Sequence, residues 1–311
     1  MQTHNNSKVV IVGAGFVGSS AAYATMIQGI CSELVLIDVN KEKALGEAMD
    51  LSHGLSFVDP MHVHAGDYDD CKDADVIVIT AGLAQKPGQT RLELAVANSK
   101  IIGGIVDEIV KRTKEAVILL VSNPVDVMTY VAIKRAGYPP GQVFGSGTAL
   151  DSSRFRFLLS EMFSVSPRSV HAFILGEHGD SELMCLSHAN IAGEPLTNIQ
   201  GYNAKKVEEI YSKTKNAAYE IIQKKGATYY AIGLGISDIV RAILYNEHLV
   251  MPLSVLLHGE YELHDVCISV PAVVGSGGIQ KILSLQLAPD ELEKLQSSAA
   301  GLKTVIASLG K

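Results

Sequence analysis

Long apolar runs are missing from this chain. No stretch approaches the roughly 20 residues that a helix needs to cross a bilayer, which argues against a membrane protein. Cysteine is scarce: Cys31, Cys71, Cys185 and Cys267 lie far apart with no CxxC pair. That pattern supports neither a disulfide framework nor a thiolate metal site, and it fits a reducing cytoplasm. Positive charge is not in excess either, since 26 Lys and Arg stand against 33 Asp and Glu for a formal charge of −7. Such a balance speaks against a nucleic-acid or anionic-membrane surface, though it leaves room for a local basic pocket. No low-complexity linker and no repeat at solenoid periods interrupts the chain. The polar opening, Met1 to Lys8, runs straight into a strand, so no signal or transit peptide is expected. The expectation is a soluble cytoplasmic protein that binds no nucleic acid and no membrane.

What is present is a chain of 311 residues, 47% apolar and 19% charged, large enough for two domains that share a cleft. The first half alternates strands with helices. Val9-Val-Ile-Val12, Leu34-Val-Leu-Ile-Asp38, Asp75 to Thr80, Ala116 to Val121 and Val143-Phe-Gly145 read as strands buried on both faces. Helices are expected from Gly18 to about Gln28 and from Lys41 to His53. The alternation predicts a doubly wound parallel sheet with ligands at the carboxyl ends of its strands. After about Gly145 the rhythm changes. Helices are expected over Asp151–Met162, over a long amphipathic stretch with Val207, Ile210, Tyr211, Thr214, Ala218, Ile221 and Ile222 on one face, and over Thr228–Tyr245 and Asp290–Leu309. Strands are expected at Ser169–Leu175, Met251–Leu257 and Val266–Val270. The fold class read from this is α/β, an N-terminal Rossmann-type domain over residues 1–145 followed by a C-terminal α+β catalytic domain over residues 146–311.

Gly13-Ala-Gly15-Phe16-Val17-Gly18 directly follows the first buried strand and opens a helix. In a dinucleotide-binding turn, Gly13 permits the sharp bend, Gly15 lets the backbone approach a pyrophosphate, and Gly18 brings helix and strand together. The phosphates would sit at the helix N-terminus, where free N–H groups and the helix dipole favour anions. Asp38 falls twenty residues after Gly18, at the end of the second strand. A carboxylate there binds ribose hydroxyls and repels a ribose phosphate, so NAD is favoured over NADP. Taken alone, the same residues could be a glycine turn with a capping Asp.

Two polar clusters about 25 residues apart follow, Asp151-Ser-Ser-Arg154 and Gly176-Glu-His178-Gly-Asp180. Reduction of a 2-oxo acid needs what they hold. His178 can supply the proton for a developing alkoxide, Asp151 can orient that imidazole and raise its proton affinity, and Arg154 can grip a carboxylate with two parallel hydrogen bonds. Arg154 lies three residues after Asp151, so the two project from one face of a helix. The plainer alternatives are a loop His paired with an Asp, and a surface salt bridge between Asp151 and Arg154.

Together with Gln85-Lys-Pro-Gly-Gln-Thr-Arg91 and Ser122-Asn-Pro124, these motifs resemble, in order and over essentially the whole chain, the L-lactate/malate dehydrogenase family, and most closely its bacterial L-lactate type. The resemblance implies NAD as cofactor, held by Gly13, Gly15, Phe16, Val17, Gly18, Asp38, Ala81, Gly82, Ser122 and Asn123. It implies an acid–base His178 with Asp151, a substrate-gripping Arg154, and Asn123 beside the substrate oxygen. Residues Ala81 to Arg91 correspond to a lid whose closure brings Arg91 against the polarised carbonyl. Gln85 stands where malate enzymes carry an Arg for the second carboxylate, and Thr228 borders the same pocket. Both point to pyruvate and L-lactate as substrates. No metal is implied.

The resemblance also implies a homotetramer and, through Arg156 and His171, an interface site for fructose bisphosphate. Arg156 is two residues after Arg154, about 200° round the helix, so it points away from the active site. The alternatives there are an Arg156–Glu161 salt bridge and a plain strand residue at His171. A malate dehydrogenase with an atypical lid, or a non-catalytic NAD-binding sensor, are the competing readings of the whole; Gln85 disfavours the first and the intact His178–Asp151–Arg154–Arg91 set the second.

Overall fold

The computed structural model describes residues 7–83 and 90–309, apart from the Arg91 side chain. In chain order its first half runs β1 (Lys8–Val12), α1 (Phe16–Gln28), β2 (Glu33–Ile37), α2 (Lys41–His53), β3 (His62–Ala65), β4 (Val76–Ile79), α3 (Arg91–Val110), β5 (Val117–Leu120), α4 (Val125–Ala136) and β6 (Val143–Gly145). The second half runs α5 (Ala149–Phe163), β7 (Val170–Leu175), β8 (Leu183–Ile191), β9 (Glu194–Pro195), α6 (Ala204–Lys225), α7 (Tyr230–Leu244), β10 (Leu249–His258), β11 (His264–Gly275), β12 (Gly278–Ile282) and α8 (Pro289–Leu309).

Among the described residues nine strands form one sheet, in the order β12-β11-β10-β6-β5-β4-β1-β2-β3. The six strands from β3 to β6 are parallel, and their apolar sequences follow from burial on both faces: every residue of β1, β4 and β5 is buried. Strand order reverses between β1 and β4, and the crevice that such a reversal opens lies at the carboxyl end of β1. The sheet does not stop where the first half of the chain does. Strand β10 pairs antiparallel with β6 through Ser254 and Gly145, so β10 to β12 extend the same sheet. The two halves therefore share one sheet as well as a cleft.

Strands β7, β8 and β9 form a second, antiparallel sheet. It is fastened to the first by the Gly176–Ser269 pair, whose backbones exchange two hydrogen bonds of 3.0 Å. Gly176 has φ +91°, and this positive angle turns the chain out of β7 into the following loop. The stripe expected on α6 is only half a core face. Val207 and Thr214 are buried, whereas Ile222 is 46% exposed. The C-terminal part of that stripe faces a cavity instead.

Candidate active site

The turn after β1 is tightly determined by backbone approach. Gly13 has φ +110°, and a Cβ there would lie 2.6 Å from the Ala81 nitrogen; one on Gly18 would lie 1.8 Å from the Gly13 carbonyl oxygen. Both glycines thus serve the protein's own packing. Gly15 differs: nothing lies within 4 Å of where its Cβ would be. It is the N-cap of α1 and offers no side-chain cap, so the first N–H groups of the helix are left without one and there is room beside Gly15 for a phosphate. Asp38 is held across this turn, its carboxylate accepting from Ala14 N at 2.7 Å and from Asn40 N at 2.8 Å. A cavity of about 630 Å³ runs from Gly13, Gly15 and Asp38 past Thr80, Ala81 and Gly82 to the apolar Ile101 and Ile105. Open helix end, carboxylate and apolar slot fit a dinucleotide. Phe16 is 68% exposed and stacks on Tyr229 with centroids 5.1 Å apart, while Val17 packs against the core.

Ser122, at the end of β5, donates to the Ala81 carbonyl at 2.5 Å and reaches the Ile79 carbonyl at 3.2 Å, which ties the ends of β4 and β5. Asn123 precedes Pro124 across a cis peptide bond and lines a second, smaller cavity of about 170 Å³. Asp151, Arg154 and His178 line the same cavity, with Leu94, Asp180, Glu182, Lys215, Tyr219 and Ile222. One carboxylate organises it. Asp151 Oδ2 lies 2.5 Å from His178 Nδ1, and Asp151 Oδ1 accepts from Arg154 Nη1 at 2.8 Å.

These partners meet because separate elements are locked together. Thr148 donates to the Ile174 carbonyl at 2.5 Å and Ser152 accepts from Ile174 N at 2.8 Å, which seats the start of α5 on β7. The loop after β7 is clamped by Glu177 N to Ser298 Oγ at 2.9 Å and by His178 N to Asp126 Oδ2 at 2.8 Å. Burial by itself would strip His178 of its proton. The Asp151 carboxylate outweighs that, with help from Asp126 and Glu182, and pushes the ring up to about 9. Asp151 is buried too, yet the His178 and Arg154 charges hold it below the usual carboxylate range. Burial, then the Asp151 charge, pushes Glu182 up to about 8.

Other expected residues are placed apart or lie outside the described region. Gln85 lies outside the described residues, and Arg91 opens α3 behind a Thr90–Glu93 capping box with its side chain also outside them. Thr228 is half-buried in the connection between α6 and α7 and does not line the smaller cavity. Arg156 reaches the Pro167 carbonyl at 3.5 Å, and His171 is exposed on β7, opposite Asn190. Three buried polar residues carry supporting roles that motif reading did not single out. Asn98 accepts from Leu83 N at 2.8 Å and donates to the Asn123 carbonyl at 2.7 Å. Asp126 also accepts from Ser254 Oγ at 2.6 Å, and burial pushes it up to about 6. Glu182 sits two residues past Asp180 in a loop already rich in polar residues. The one sequence signal for Asn98 and Asp126 was a polar residue inside an apolar helical stretch.

Comparison with known proteins agrees with this geometry. The family model described as lactate/malate dehydrogenase, NAD binding domain, matches residues 7–145, and that described as lactate/malate dehydrogenase, alpha/beta C-terminal domain, matches residues 148–310. The L-lactate dehydrogenase of Acetivibrio thermocellus is 48% identical, covering 98% of this chain and 99% of its own. That of Macrococcus caseolyticus is 51% identical over 98% of both chains. Among solved structures, a lactate dehydrogenase from a Medee basin deep-sea metagenome library superposes with a TM-score of 0.95 at 46% identity, over 98% of this chain and 99% of that one. The minor L-lactate dehydrogenase of Enterococcus mundtii in its ligands-bound form gives 0.95 at 44% identity over 98% of each chain. With both halves matched, the chain is a member of the lactate/malate dehydrogenase family, an oxidoreductase whose cofactor is NAD.

Proposed function

We propose that the protein interconverts pyruvate and L-lactate. The observation that carries this reading is the Asp151 carboxylate, with His178 on one oxygen and Arg154 on the other, in a cavity of about 170 Å³. That volume is well below the roughly 300–1,000 Å³ of pockets for drug-sized ligands and suits a small acid. The names of the relatives, L-lactate dehydrogenases at about half identity, support the same choice.

When bound, the nicotinamide supplies the hydride that goes to the 2-oxo carbon. The chain's own residues do the rest. Arg154 binds the substrate carboxylate and fixes the oxo group against His178. His178 is protonated near neutral pH, and with Nδ1 engaged by Asp151 it gives the Nε2 proton to the carbonyl oxygen as that oxygen gains charge. The sum is pyruvate, NADH and one proton to L-lactate and NAD. In reverse, neutral His178 takes the hydroxyl proton. The resemblance assigns Arg91 the stabilisation of charge on the oxygen, and the stretch from Ala81 to Arg91 the part of a lid that excludes water. The resemblance assigns Asn123 a place beside that oxygen and Gln85 the far end of the substrate, with room for a methyl group; Thr228, which does not line the smaller cavity, is assigned to that end by the resemblance alone. Gln85 leaves a second carboxylate unpaired in a closed site, which costs too much for oxaloacetate to compete. Initial rates of NADH oxidation with pyruvate and with oxaloacetate in parallel test this. Equal turnover would remove the lactate assignment.

Assembly and regulation extend this proposal. Apolar residues stand exposed on neighbouring helices, Tyr23 and Ile27 on α1, Tyr230 and Leu234 on α7, and support self-association, for which the resemblance implies a homotetramer. The Arg156 bond to Pro167 holds that guanidinium near the root of β7, the strand that carries His171. Such a pair, repeated across a two-fold interface, would suit fructose bisphosphate. Sedimentation and initial rates with and without the bisphosphate decide it: activation and assembly should appear together, by linkage. An enzyme already tetrameric and indifferent to the ligand would leave both residues structural.

A further inference from the structure

The edge strand of the large sheet, β3, reads His62-Val-His64-Ala65, and its parallel neighbour β2 begins at Glu33. Residues two apart on a strand share a face, and the register sets Glu33 beside His62 and Val35 beside His64. The two imidazoles stack with centroids 4.5 Å apart and 27° between planes. One donor atom from each of Glu33, His62 and His64 lies within 4.8 Å of the others. His62 is exposed and the other two are half-buried, so a small ion reaches the cluster directly from solvent. Glu33 and His62 lie at the opening ends of their strands, away from the glycine turn and Asp38 at the closing ends.

The contacts of His64 suit a ligating histidine. Nδ1 lies 3.2 Å from the Ala65 carbonyl oxygen, a partner for a hydrogen on that nitrogen when Nε2 ligates a metal. Nε2 lies 3.0 Å from Glu33 Oε1, which is an acceptor as well. In the tautomer with its hydrogen on Nδ1, Nε2 presents a lone pair beside the Glu33 carboxylate, and an ion between them would bond both. A backbone carbonyl on the far nitrogen is also the usual device that orients a ligating histidine. Zinc bonds of about 2.0–2.2 Å at tetrahedral angles separate N and O ligand atoms by about 3.4 Å, so little movement is needed.

The charges nearby are compatible. Lys8 Nζ is 3.5 Å from Glu33 Oε1, which alone would oppose a cation. It is also 2.9 Å from Asp73 Oδ1 and 3.6 Å from Asp70 Oδ1, so it keeps two carboxylate partners if Glu33 turns to a metal. Three carboxylates against one ammonium leave the group at a formal −2 with both imidazoles neutral.

We propose that Glu33, His62 and His64 form a surface site for a divalent transition cation of the zinc, nickel and copper class, remote from the catalytic cavity. Two imidazoles and one carboxylate select these ions over magnesium and calcium, which prefer all-oxygen ligands. Bound metal clips the edge strand to β2 and stabilises the folded chain by mass action.

Isothermal titration of the full chain with zinc sulfate tests the site, with magnesium chloride as the control. Saturable binding near one zinc per chain at about 1–10 μM is expected, looser than four-ligand structural sites. His62→Ala and His64→Ala should each weaken it by about tenfold or more. Electron paramagnetic resonance of the unsubstituted chain at one equivalent of copper(II) should show coupling to two imidazole nitrogens, a readout that does not depend on any variant folding. Zinc affinity unchanged in both variants, no saturable zinc binding, or a copper spectrum without nitrogen coupling would each overturn the proposal.

Discussion

Replacing Asp151 by Asn keeps the size of the side chain and removes its charge. In the folded chain one carboxylate oxygen faces His178 Nδ1 at 2.5 Å and the other accepts from Arg154 at 2.8 Å. Both partners are donors. An amide has one acceptor end and one donor end, so Asn can serve only one of them and points an N–H at the other. Burial alone lowers the proton affinity of His178, and Asp151 is the main reason that it is instead pushed up to about 9. Without that charge the ring should return to about 6.5 or lower, a change of about 2.5 pH units, on the order of 3 kcal/mol. At about pH 8 the protonated fraction would fall from about 90% to about 3%, roughly a thirtyfold loss of the proton donor before any loss of orientation. The assay is the initial rate of NADH oxidation with pyruvate from about pH 5.5 to 9.5, where the alkaline limb of kcat/KM reports the free enzyme's acid. The limb should move about two units toward acid, while NADH binding, assigned here to the glycine turn and Asp38, should stay close to that of the parent. A limb that stays in place in Asp151→Asn would refute the reading that this carboxylate sets the protonation of His178.

The two glycine roles separate by substitution. Gly15→Ala should leave the melting temperature unchanged or raise stability by about 0.4–1 kcal/mol while weakening NADH binding, because its Cβ meets only open space; Gly18→Ala should destabilise the apo chain, because its Cβ meets the Gly13 carbonyl. Arg154→Lys should raise the KM for pyruvate more than it lowers kcat, since an ammonium cannot make the planar fork, and steady-state kinetics with an unchanged KM would remove the carboxylate-gripping role. Gln85→Arg should turn the preference toward oxaloacetate by about three orders of magnitude, from a charged hydrogen bond gained and a charge stranded against pyruvate of roughly 2–4 kcal/mol each. A ratio of kcat/KM values that still favours pyruvate would show that Gln85 does not face the substrate. Stability should decline in alkali, because Glu182 at about 8 and His178 at about 9 both hold protons more tightly when folded. The Glu182 contribution is full below about pH 4.5 and lost by about 8, and the His178 contribution is lost between about 6.5 and 9. Thermal melts should therefore fall across about pH 6.5 to 9, and Glu182→Gln should make that fall shallower.

Much of the architecture is legible along the chain because burial on both faces demands uninterrupted apolar strands. Strands β1, β2, β4 and β5 are such runs, and the expected boundaries differ from the observed ones by a residue or so. The His-Val-His-Ala edge strand β3 carries no such signal, since an edge strand with only one of its four residues fully buried needs no apolar run. Strands β8 and β12 escaped for a related reason: each mixes polar and apolar residues, and the pairing partner supplies the missing specification. The α6 stripe shows the opposite limit. Its period is helical, but periodicity cannot tell a core from a cavity, and Ile222 faces the latter.

At the site, residue chemistry and spacing by themselves determined which groups were candidates. A glycine turn after a buried strand, a carboxylate twenty residues on, and an Asp, an Arg and a His in two short motifs are local patterns, and local patterns are written in order along a chain. Only the tertiary structure decided which of them touch. The distance from His178 to Asp151 depends on Thr148 and Ser152 seating α5 on β7, on Gly176 pairing with Ser269, and on Asp126 holding the His178 amide. The proton affinity of His178 depends on the charges gathered round it, from Asp126 on one helix and Glu182 past its own loop. Those groups are 52 residues away and 4 residues away along the chain respectively. Coulomb energies follow distance in space and the dielectric between charges, neither of which is encoded at any single position.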